Sequence, residues 1–361
     1  MLAGGVVSGK ADAPTLDDKP AAKPAAPKNV KPQYSVTDLG ELIAMAGDAY
    51  PSINNAGHVA FWTQAADGTV HAAVWADGKI TDLGVPPGYK SSICRYIGPD
   101  DAVAGWVTTS RNLVDSGATV HAAIFKGGKV TDLGTLGGKT AQAHAVGSKG
   151  EVVGVSLLPG GKNRHAFLYR DGKMQDLSTL PGGEFSAAYG INAHGDIAGV
   201  ASKGGQNHAV VWRNGKIEDL GTFPDGTRSS AVGINNAGTA VGFGETDDGV
   251  HAFKSDGAKL LDLGVLGGDP TSARSINAQG DIVGLSAVSS IQTHAFLWRN
   301  GVMSDLTDLI PRELAWRLRE ADGINDRGQI VCVGNRKYQA AHCLLLTPLA
   351  ISRAPEATTK G

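Results

Sequence analysis

The stretch from Ser186 to Gly221, SAAYGINAHGDIAGVASKGGQNHAVVWRNGKIEDLG, decides the fold of this chain. It contains four runs of five or six residues that are rich in Val, Ile and Ala and are separated by turns rich in Gly, Asn and Asp. Runs of this kind, bounded by turn residues, predict four antiparallel strands. The glycine density is incompatible with a helix.

The pattern of this stretch recurs along the chain, and each copy has a histidine at the start of its third run. Successive histidines are spaced by 50, 44, 43, 43, 43 and 48 residues, at His71, His121, His165, His208, His251, His294 and His342. A repeat of roughly 40 to 50 residues with four strands is typical of one blade of a β-propeller. The sequence therefore predicts an all-β fold, a seven-bladed β-propeller of four-stranded antiparallel blades.

The fourth strand of each unit ends in a sequence similar to Asp-Leu-Gly, at Asp38, Asp82, Asp132, Asp176, Asp219, Asp262 and Asp305. The first copy precedes every other blade element, whereas the last unit, Asp322 to Thr347, has three strands and no fourth. We therefore expect Tyr34 to Gly40 to complete the last blade. Closure of the ring by both termini would remove the exposed sheet edges that invite aggregation.

Composition and charge limit the partners that this chain can have. Its 361 residues include 33 Lys and Arg against 35 Asp and Glu, so no broad basic field is available and a nucleic-acid partner is disfavoured. No run approaches 18 apolar residues, which argues against membrane insertion. We expect a monomer with one propeller domain over 34–348, a disordered Ala/Pro/Lys-rich segment over 1–33 and a flexible tail over 349–361.

The N-terminal segment leaves the cellular compartment open. Met1 to Val7 is too short for a complete signal-peptide core, although Ala11-Asp12-Ala13 fits a small-residue cleavage site. A remnant of an export signal and a cytosolic start with a disordered tail both fit these residues.

The cysteines bear on the same question. Cys332 and Cys343 replace, in the last blade, a Gly of the second strand and an Ala of the third. A hairpin loop of Asn335 to Ala340 would place the two directly opposite each other, close enough for a disulfide. The alternative is two small buried thiols. Cys94 is expected in the core.

Three units are spelled His165-Ala166-Phe167, His251-Ala252-Phe253 and His294-Ala295-Phe296, with Ile-Asn-x-x-Gly before and Asp-Leu-Gly after. They resemble the bacterial HAF-repeat family, which looks like a set of extracellular repeat proteins named for this tripeptide. The resemblance covers nearly all of Tyr34 to Pro348. The units at His71, His121, His208 and His342 depart from the name but keep a small residue followed by an apolar one. The resemblance implies an extracellular or periplasmic location, with the cytoplasm as the alternative, and no catalytic residues carry over from it.

The seven repeated histidines do not predict a metal site. Each begins the third strand of its blade, far from the axis, so they cannot converge on one ion. Each unit also carries the aspartate of its fourth strand, which predicts a His–Asp hydrogen bond within every blade. The Asn-x-x-Gly turns lack the carboxylates of calcium loops, so we expect Asn and Gly to supply the positive φ of a tight hairpin. No metal or cofactor is expected.

One position does not repeat. Two residues before the Ile of each first strand, or before Val146 in the third unit, the units carry Pro51, Arg95, His144, Tyr189, Val232, Arg274 and Asp322. The first strand of a blade lines the central channel, so these residues predict a ring near one mouth. They either fill gaps and solvate the channel or form a polar ligand site. In the second case Arg95 and Arg274 would clamp a carboxylate, while His144 and Tyr189 would bind hydroxyls or exchange protons.

Two enlarged links emerge on the face shared by the second-to-third strand links and the links between blades. They are Val107 to Val120, which contains Arg111, and Asp308 to Glu320, which contains Trp316. Pro311 to Leu318 within the second link predicts a short helix. Insertions on one face of a repeat array often mark a binding surface, and neutral loop growth is the alternative. We expect Arg111, Trp316 and Asp322 to assist Arg95 and Arg274 in ligand binding.

Three functions fit these residues. The leading hypothesis is a non-enzymatic, secreted or periplasmic propeller that binds an extended carbohydrate or polypeptide on that face. The second is a polysaccharide lyase in which His144 and Tyr189 act as base and acid while Arg95 and Arg274 neutralise a uronate carboxylate. The third is a scaffold for protein partners.

Overall fold

The protein is a seven-bladed β-propeller, as the repeat predicts. The computed structural model describes residues 31–42, 50–111, 117–257 and 259–349. Their strands form seven sheets of four antiparallel strands each. The expectations for residues 1–30 and 350–361, including the export-signal remnant and the flexible tail, lie outside the described residues.

The strands follow one another in blade order after the first. Strand β1 is Tyr34–Glu41. Blades 1 to 3 comprise β2 (Ser52–Ile53), β3 (Val59–Gln64), β4 (Val70–Ala76) and β5 (Lys79–Asp82); β6 (Ser91–Ile97), β7 (Val103–Thr108), β8 (Val120–Lys126) and β9 (Lys129–Gly134); β10 (Ala141–Val146), β11 (Val152–Leu157), β12 (Arg164–Arg170) and β13 (Lys173–Asp176). Blades 4 to 6 comprise β14 (Ser186–Ile191), β15 (Ile197–Lys203), β16 (Gln206–Arg213) and β17 (Lys216–Gly221); β18 (Ser229–Ile234), β19 (Ala240–Thr246), β20 (Gly249–Asp256) and β21 (Lys259–Asp262); β22 (Thr271–Ile276), β23 (Ile282–Ser289), β24 (Gln292–Arg299) and β25 (Val302–Asp305). Blade 7 comprises β26 (Arg317–Ile324), β27 (Ile330–Asn335), β28 (His342–Pro348) and β1.

The hydrophobic core is distributed between neighbouring blades. Between blades 3 and 4, for example, Leu168 packs in one buried cluster with Ile197, Val210 and Trp212. The alanine after the repeated histidine is completely buried, as at Ala209, because neighbouring sheets approach closely there. Each blade therefore depends on both of its neighbours for burial of its apolar faces.

The predicted His–Asp hydrogen bond is present in every blade. In each case the histidine Nδ1–H donates to the carboxylate of the aspartate on the fourth strand, at 2.6 to 3.1 Å. This contact fastens the outermost strand to the third strand. The repeated histidines therefore have a structural role.

The N-terminal strand closes the ring, as predicted. Strand β1 pairs antiparallel with β28, from Tyr34 opposite Pro348 to Glu41 opposite His342. His342 Nδ1 donates to both oxygens of Asp38, at 2.9 and 3.0 Å, so the last blade has the same His–Asp contact as the others. The two ends of the propeller are thus joined by the same His–Asp hydrogen bond that recurs in every other blade.

A belt of asparagines joins the inner ends of the blades, which the sequence reasoning missed. In five blades, Nδ2 of the Asn after the first strand donates to a backbone carbonyl of the next blade at 3.0 to 3.3 Å, from Asn54 to Gly98, Asn192 to Asn235, Asn235 to Asn277, Asn277 to Asn325 and Asn325 to Asn54. Its Oδ1 accepts backbone N–H groups of its own turn, such as that of Asp196. The glycine alone supplies the positive φ of these turns, for example +87° at Gly195.

The expected opposition of Cys332 and Cys343 is wrong. Val333 lies opposite Cys343, and Cys332 lies opposite Leu344. A shift of one residue turns a side chain to the other face of the sheet. Cys332 therefore packs between blades 6 and 7 and Cys343 packs between blades 7 and 1, and both are free thiols.

The predicted helix from Pro311 to Leu318 is also wrong. The link contains two 3₁₀ helices, Leu306–Leu309 and Arg312–Leu314. Ala315 then adopts φ +56°, and the chain enters β26 at Arg317. Leu318 therefore belongs to a strand, where it is completely buried.

Truncation tests the closure of the ring. Deletion of residues 1–33 should change stability little, whereas deletion of 1–40 should unfold or aggregate the protein, because β28 would lose its partner strand and become an exposed edge. Thermal melts and size-exclusion chromatography of the two truncations measure this. Equal melting temperatures for the two would contradict closure by β1.

Alanine substitutions test the His–Asp contacts. His294→Ala should lower the free energy of unfolding by about 1 to 3 kcal/mol, because the Asp305 side chain is only 8% exposed and its Oδ2 would lose its donor. His71→Ala should cost less than about 1 kcal/mol, since water reaches the 53%-exposed side chain of Asp82. The exposed His194 is the control, and urea unfolding ranks the three variants. A reversed order would show that the contact does not set the cost.

Candidate functional site

The residues that do not repeat lie at β-bulges of the innermost strands. In blades 2 to 7, the pairing between first and second strands skips one residue, and the skipped residue is Arg95, His144, Tyr189, Val232, Arg274 or Asp322. In blade 1, Pro51 directly precedes β2. A bulge leaves its extra residue unpaired and re-aims its side chain. All seven residues line one cavity in the central channel.

A glycine in the second strand makes room for each bulge in blades 2 to 6. A Cβ added at Gly199 would lie 2.1 Å from the carbonyl oxygen of Ala187, two residues before the bulge. Gly105, Gly154, Gly242 and Gly284 meet the equivalent carbonyl oxygens at 1.9 to 2.0 Å. These glycines are therefore required by the close approach of the bulged strand.

The cavity is small. Its volume is about 120 Å³, which is room for about four water molecules at roughly 30 Å³ each. A second cavity of about 150 Å³ lies towards the asparagine belt, and Tyr96 lines both together with isoleucines such as Ile191 and Ile234. The cavity lined by the bulge residues can thus hold a small molecule or one end of a longer chain, but not several sugar rings or residues.

Arg95 and Arg274 converge on the aromatic ring of Tyr50. Their guanidinium carbons lie 3.9 and 4.7 Å from its centroid, within the range of a cation–π contact. Arg274 Nε is inaccessible to solvent and has no hydrogen-bond partner among the described residues. The tyrosine therefore holds the two cations in place, and Arg274 Nε is a buried donor without a hydrogen bond.

Asp322 is the neighbour of Arg274 in the ring of blades. Neither of its carboxylate oxygens contacts solvent or has a hydrogen-bond partner among the described residues. Burial, and then the nearby Glu320, raise the pKa of Asp322, while Arg274 and Arg95 oppose the rise. A carboxylate without donors in such a position is costly, and costs of this kind are concentrated at functional sites.

The opposite side of the cavity is neutral. His144 and Tyr189 stack with ring centroids 5.2 Å apart and an interplanar angle of 15°. The Nδ1–H group of His144 donates to the carbonyl oxygen of Ala188 at 2.9 Å. Burial, assisted by the charge of Arg95, lowers the pKa of His144 to about 4, and burial raises that of Tyr189. Together with Val232 these residues form an uncharged arc over blades 3 to 5.

Arg111 and Trp316 do not reach the cavity. Arg111 is exposed and donates to the carbonyl oxygen of Asp67 in the neighbouring blade at 3.2 Å; residues 112–116 of its link lie outside the described residues. Trp316 is 5% exposed and packs in the core against His342, with ring centroids 5.3 Å apart. The ligand-binding role expected for Trp316 is therefore wrong, because its ring is buried.

The sequence reasoning missed Tyr50, Glu320 and Tyr96. A signal for Tyr96 was present, since the residue before the Ile is Ser, Ala or Gly in the other blades. Tyr50 is an aromatic residue beside the one ring position occupied by proline. Glu320 precedes Asp322 by two residues in a strand that carries a further register shift, which no periodicity predicts.

Two further properties of the described ranges bear on function. No three His, Cys, Asp or Glu side chains there come together as potential metal ligands. Nor does that part of the chain contain a helix with the length and apolarity of a membrane span.

Comparison with known proteins finds similarity in fold but not in sequence. No family model and no curated protein matches this chain in sequence. Similar solved structures include a puromycin-hydrolysing peptidase of Mycobacterium tuberculosis, with a TM-score of 0.55 and 14% identity over 85% of this chain and 53% of that one. The β-propeller domain of the Trilobed protease from Pyrococcus furiosus gives 0.52 and 10% over 90% and 100%, and an acylaminoacyl peptidase of Pyrococcus horikoshii gives 0.50 and 13% over 80% and 50%.

This chain therefore spans about half the length of the first and third of these proteins. The second of these domains has an open velcro topology, whereas β1 closes the last blade here. At these identities the likeness establishes the propeller fold alone.

Asp322→Asn tests the cost of the unpartnered carboxylate. A raised pKa means that the folded protein loses stability as pH rises through it, because the charged form is disfavoured in the cavity. The variant should therefore be more stable than the wild type at neutral pH, by about 1 kcal/mol or more, and its advantage should shrink towards acidic pH. Urea unfolding at several pH values measures this. A less stable variant at neutral pH would show that the arginines outweigh the burial.

Proposed function

We propose that the protein is a binding module that receives a small polar ligand, or the polar end of a carbohydrate or polypeptide, in its channel cavity. The observation that carries this proposal is the ring of bulge residues. They occupy one equivalent position in each blade, yet they include both signs of charge and converge on one cavity. Uniform repeats do not need such variation in order to fold, whereas ligand sites consist of a few convergent polar groups in a concave surface.

The size of the cavity limits how much of an extended ligand can enter it. A volume of about 120 Å³ admits one terminal group, so the rest of any longer chain must lie outside the channel cavity. The exposed Arg111 can contribute only to such an outer part, since it contacts the loop of Asp67 and not the channel.

The acid–base properties of the ring disfavour the lyase alternative. A general base works best with a pKa near the operating pH, but His144 has a pKa of about 4 and its Nδ1–H is held by a backbone carbonyl. Tyr189 has a raised pKa, which makes its deprotonated form harder to reach. Binding is therefore a better use of these side chains than proton transfer.

Exposed apolar side chains favour the scaffold as a second candidate. Ile291 and Tyr338 are 87% and 92% exposed, at the tips of the links between second and third strands in adjacent blades. Neighbouring exposed apolar groups on one face suit a protein partner. The extracellular or periplasmic location, the monomeric state and membership of the HAF-repeat family are proposals that rest on the sequence.

Arginine substitutions test the channel against the loop face. Thermal shift and calorimetry on the full chain, with monosaccharides, uronic acids, amino acids and short peptides, should yield at least one ligand class. Arg95→Ala combined with Arg274→Ala should weaken its binding at least about 100-fold, through loss of two charge-assisted hydrogen bonds. Arg111→Ala is the matched control and should bind as the wild type does.

The opposite pattern, in which binding depends on Arg111 alone, would move the site to the loop face. Formation of unsaturated uronate from a polyuronate would establish the lyase instead. Failure of every ligand class would refute the binding proposal and leave the scaffold.

A further inference from the structure

Tyr96 differs from its equivalents in the other six blades. The residue before the last Ile or Val of the first strand is small in all of those blades, at Ser52, Ala145, Gly190, Gly233, Ser275 and Gly323. The first strands of neighbouring blades approach closely at this position. A Cβ added at Gly190 would lie 3.3 Å from the carbonyl oxygen of Val232, and one added at Gly233 would lie 3.3 Å from that of Arg274. A long side chain therefore has little room between the strands and turns into the channel.

Tyr96 lies between the two cavities of the channel. It lines both of them, together with the isoleucines that end the first strands of five other blades, Ile53, Ile191, Ile234, Ile276 and Ile324. In its own blade and in the next, the equivalent Ile97 and Val146 line only the second cavity. The tyrosine ring and the isoleucines thus form an apolar constriction, which separates the ring of bulge residues from the asparagine belt.

The surroundings of Tyr96 differ from those of a core residue. It is 38% exposed, whereas the aromatic residues that hold the blades together, such as Phe167 and Phe253, are completely buried. Its exposed surface faces the two cavities that it lines. Burial, and then the charge of Asp326 in the second cavity, raise the pKa of Tyr96, so the phenol stays neutral. Because six blades pack without a ring at this position, the ring affects the channel more than the fold.

We infer that Tyr96 sets the depth of the ligand site and so limits its ligands to short linear carboxylates. Arg95 and Arg274 line the channel cavity alone, whereas the isoleucines lie at its border with the second cavity. A carboxylate among the arginines can extend an apolar tail along the isoleucines only as far as the tyrosine ring. This inference rests on the proposed function, since it determines which ligands the same cavity admits.

Linear alkanoates from acetate to decanoate test the inference on the full chain, with calorimetry as the measurement. Each buried methylene should tighten binding about fourfold until the tail meets Tyr96, and longer chains should then gain nothing or bind more weakly. Tyr96→Ala joins the two cavities, so the tightest-binding alkanoate should become a longer one. Octanoate should bind this variant at least about tenfold more tightly than the wild type, through two or more additional buried methylenes.

Three further variants control for effects other than depth. Tyr96→Phe keeps the ring and should keep the chain-length limit of the wild type, and so should Tyr338→Ala, which removes an exposed tyrosine outside the channel. Tyr96→Ser introduces the residue of blades 1 and 6 and should act as Tyr96→Ala does, so it serves if the alanine variant does not fold. Circular dichroism checks the fold of each variant. An unchanged chain-length limit in folded Tyr96→Ala or Tyr96→Ser protein would overturn the inference.

This inference and the proposed function fail in different ways. If alkanoates of every length bind the wild type equally well and Arg95→Ala with Arg274→Ala abolishes that binding, the cavity is a ligand site whose depth Tyr96 does not limit. If no alkanoate binds the wild type, the inference fails, while a sugar or amino acid that binds through the two arginines would keep the proposed function. If no probe of any class binds, both fail.

Discussion

The aspartate at the end of each fourth strand accepts the hydrogen bonds on which the propeller depends. Besides the histidine Nδ1–H, its Oδ1 accepts the backbone N–H group two residues further on, at 2.7 to 3.0 Å in all seven blades. One carboxylate thus fastens the outer strand to the third strand and also holds the turn that leads away from it. Four of the outer strands have only four residues and few ladder hydrogen bonds of their own. In the last blade the same contact joins Asp38 to His342 and so closes the ring.

A second constraint, the bulge in the first strand, lets the channel residues vary independently of the residues that hold the blades together. Because a glycine in the second strand admits the carbonyl of the bulged strand, the bulge residue is released from the pairing pattern and from the core between blades. Its side chain can change from arginine to valine without any change in the ladder. Blade 1 carries Phe61 at the glycine position, and its first strand is assigned only over Ser52–Ile53. There Tyr50 lines the channel together with Pro51, one residue before the usual position.

The sequence predicts the frame well because every element of the frame repeats. Seven copies of one pattern identify the strands, the His–Asp pairs and the closing strand without ambiguity. Departures from the repeat are predicted poorly, because each depends on local register. The prediction that Cys332 lies opposite Cys343 is wrong because the register is shifted by one residue. The ligand-binding role predicted for Trp316 is wrong because a residue in an inserted link can turn inwards as readily as outwards. The ring positions were predictable as channel residues, but the role of Tyr50 in holding two guanidiniums depends on side-chain directions that no spacing reveals.

The position of Asp322 follows from how such a frame distributes its stability. Seven equivalent blades, each held by the same contacts, can carry one unfavourable group without loss of the fold. The free-energy cost of that group is local, and the other blades keep all their stabilising contacts. Selection for folding alone would replace an unpartnered carboxylate by a neutral residue, as blade 5 has Val232 at the equivalent place. Asp322 and Arg274 line the same small cavity as the uncharged His144, Tyr189 and Val232. The unpaired carboxylate is therefore a cost that folding alone does not explain, and it falls at a position that the repeat leaves free to vary.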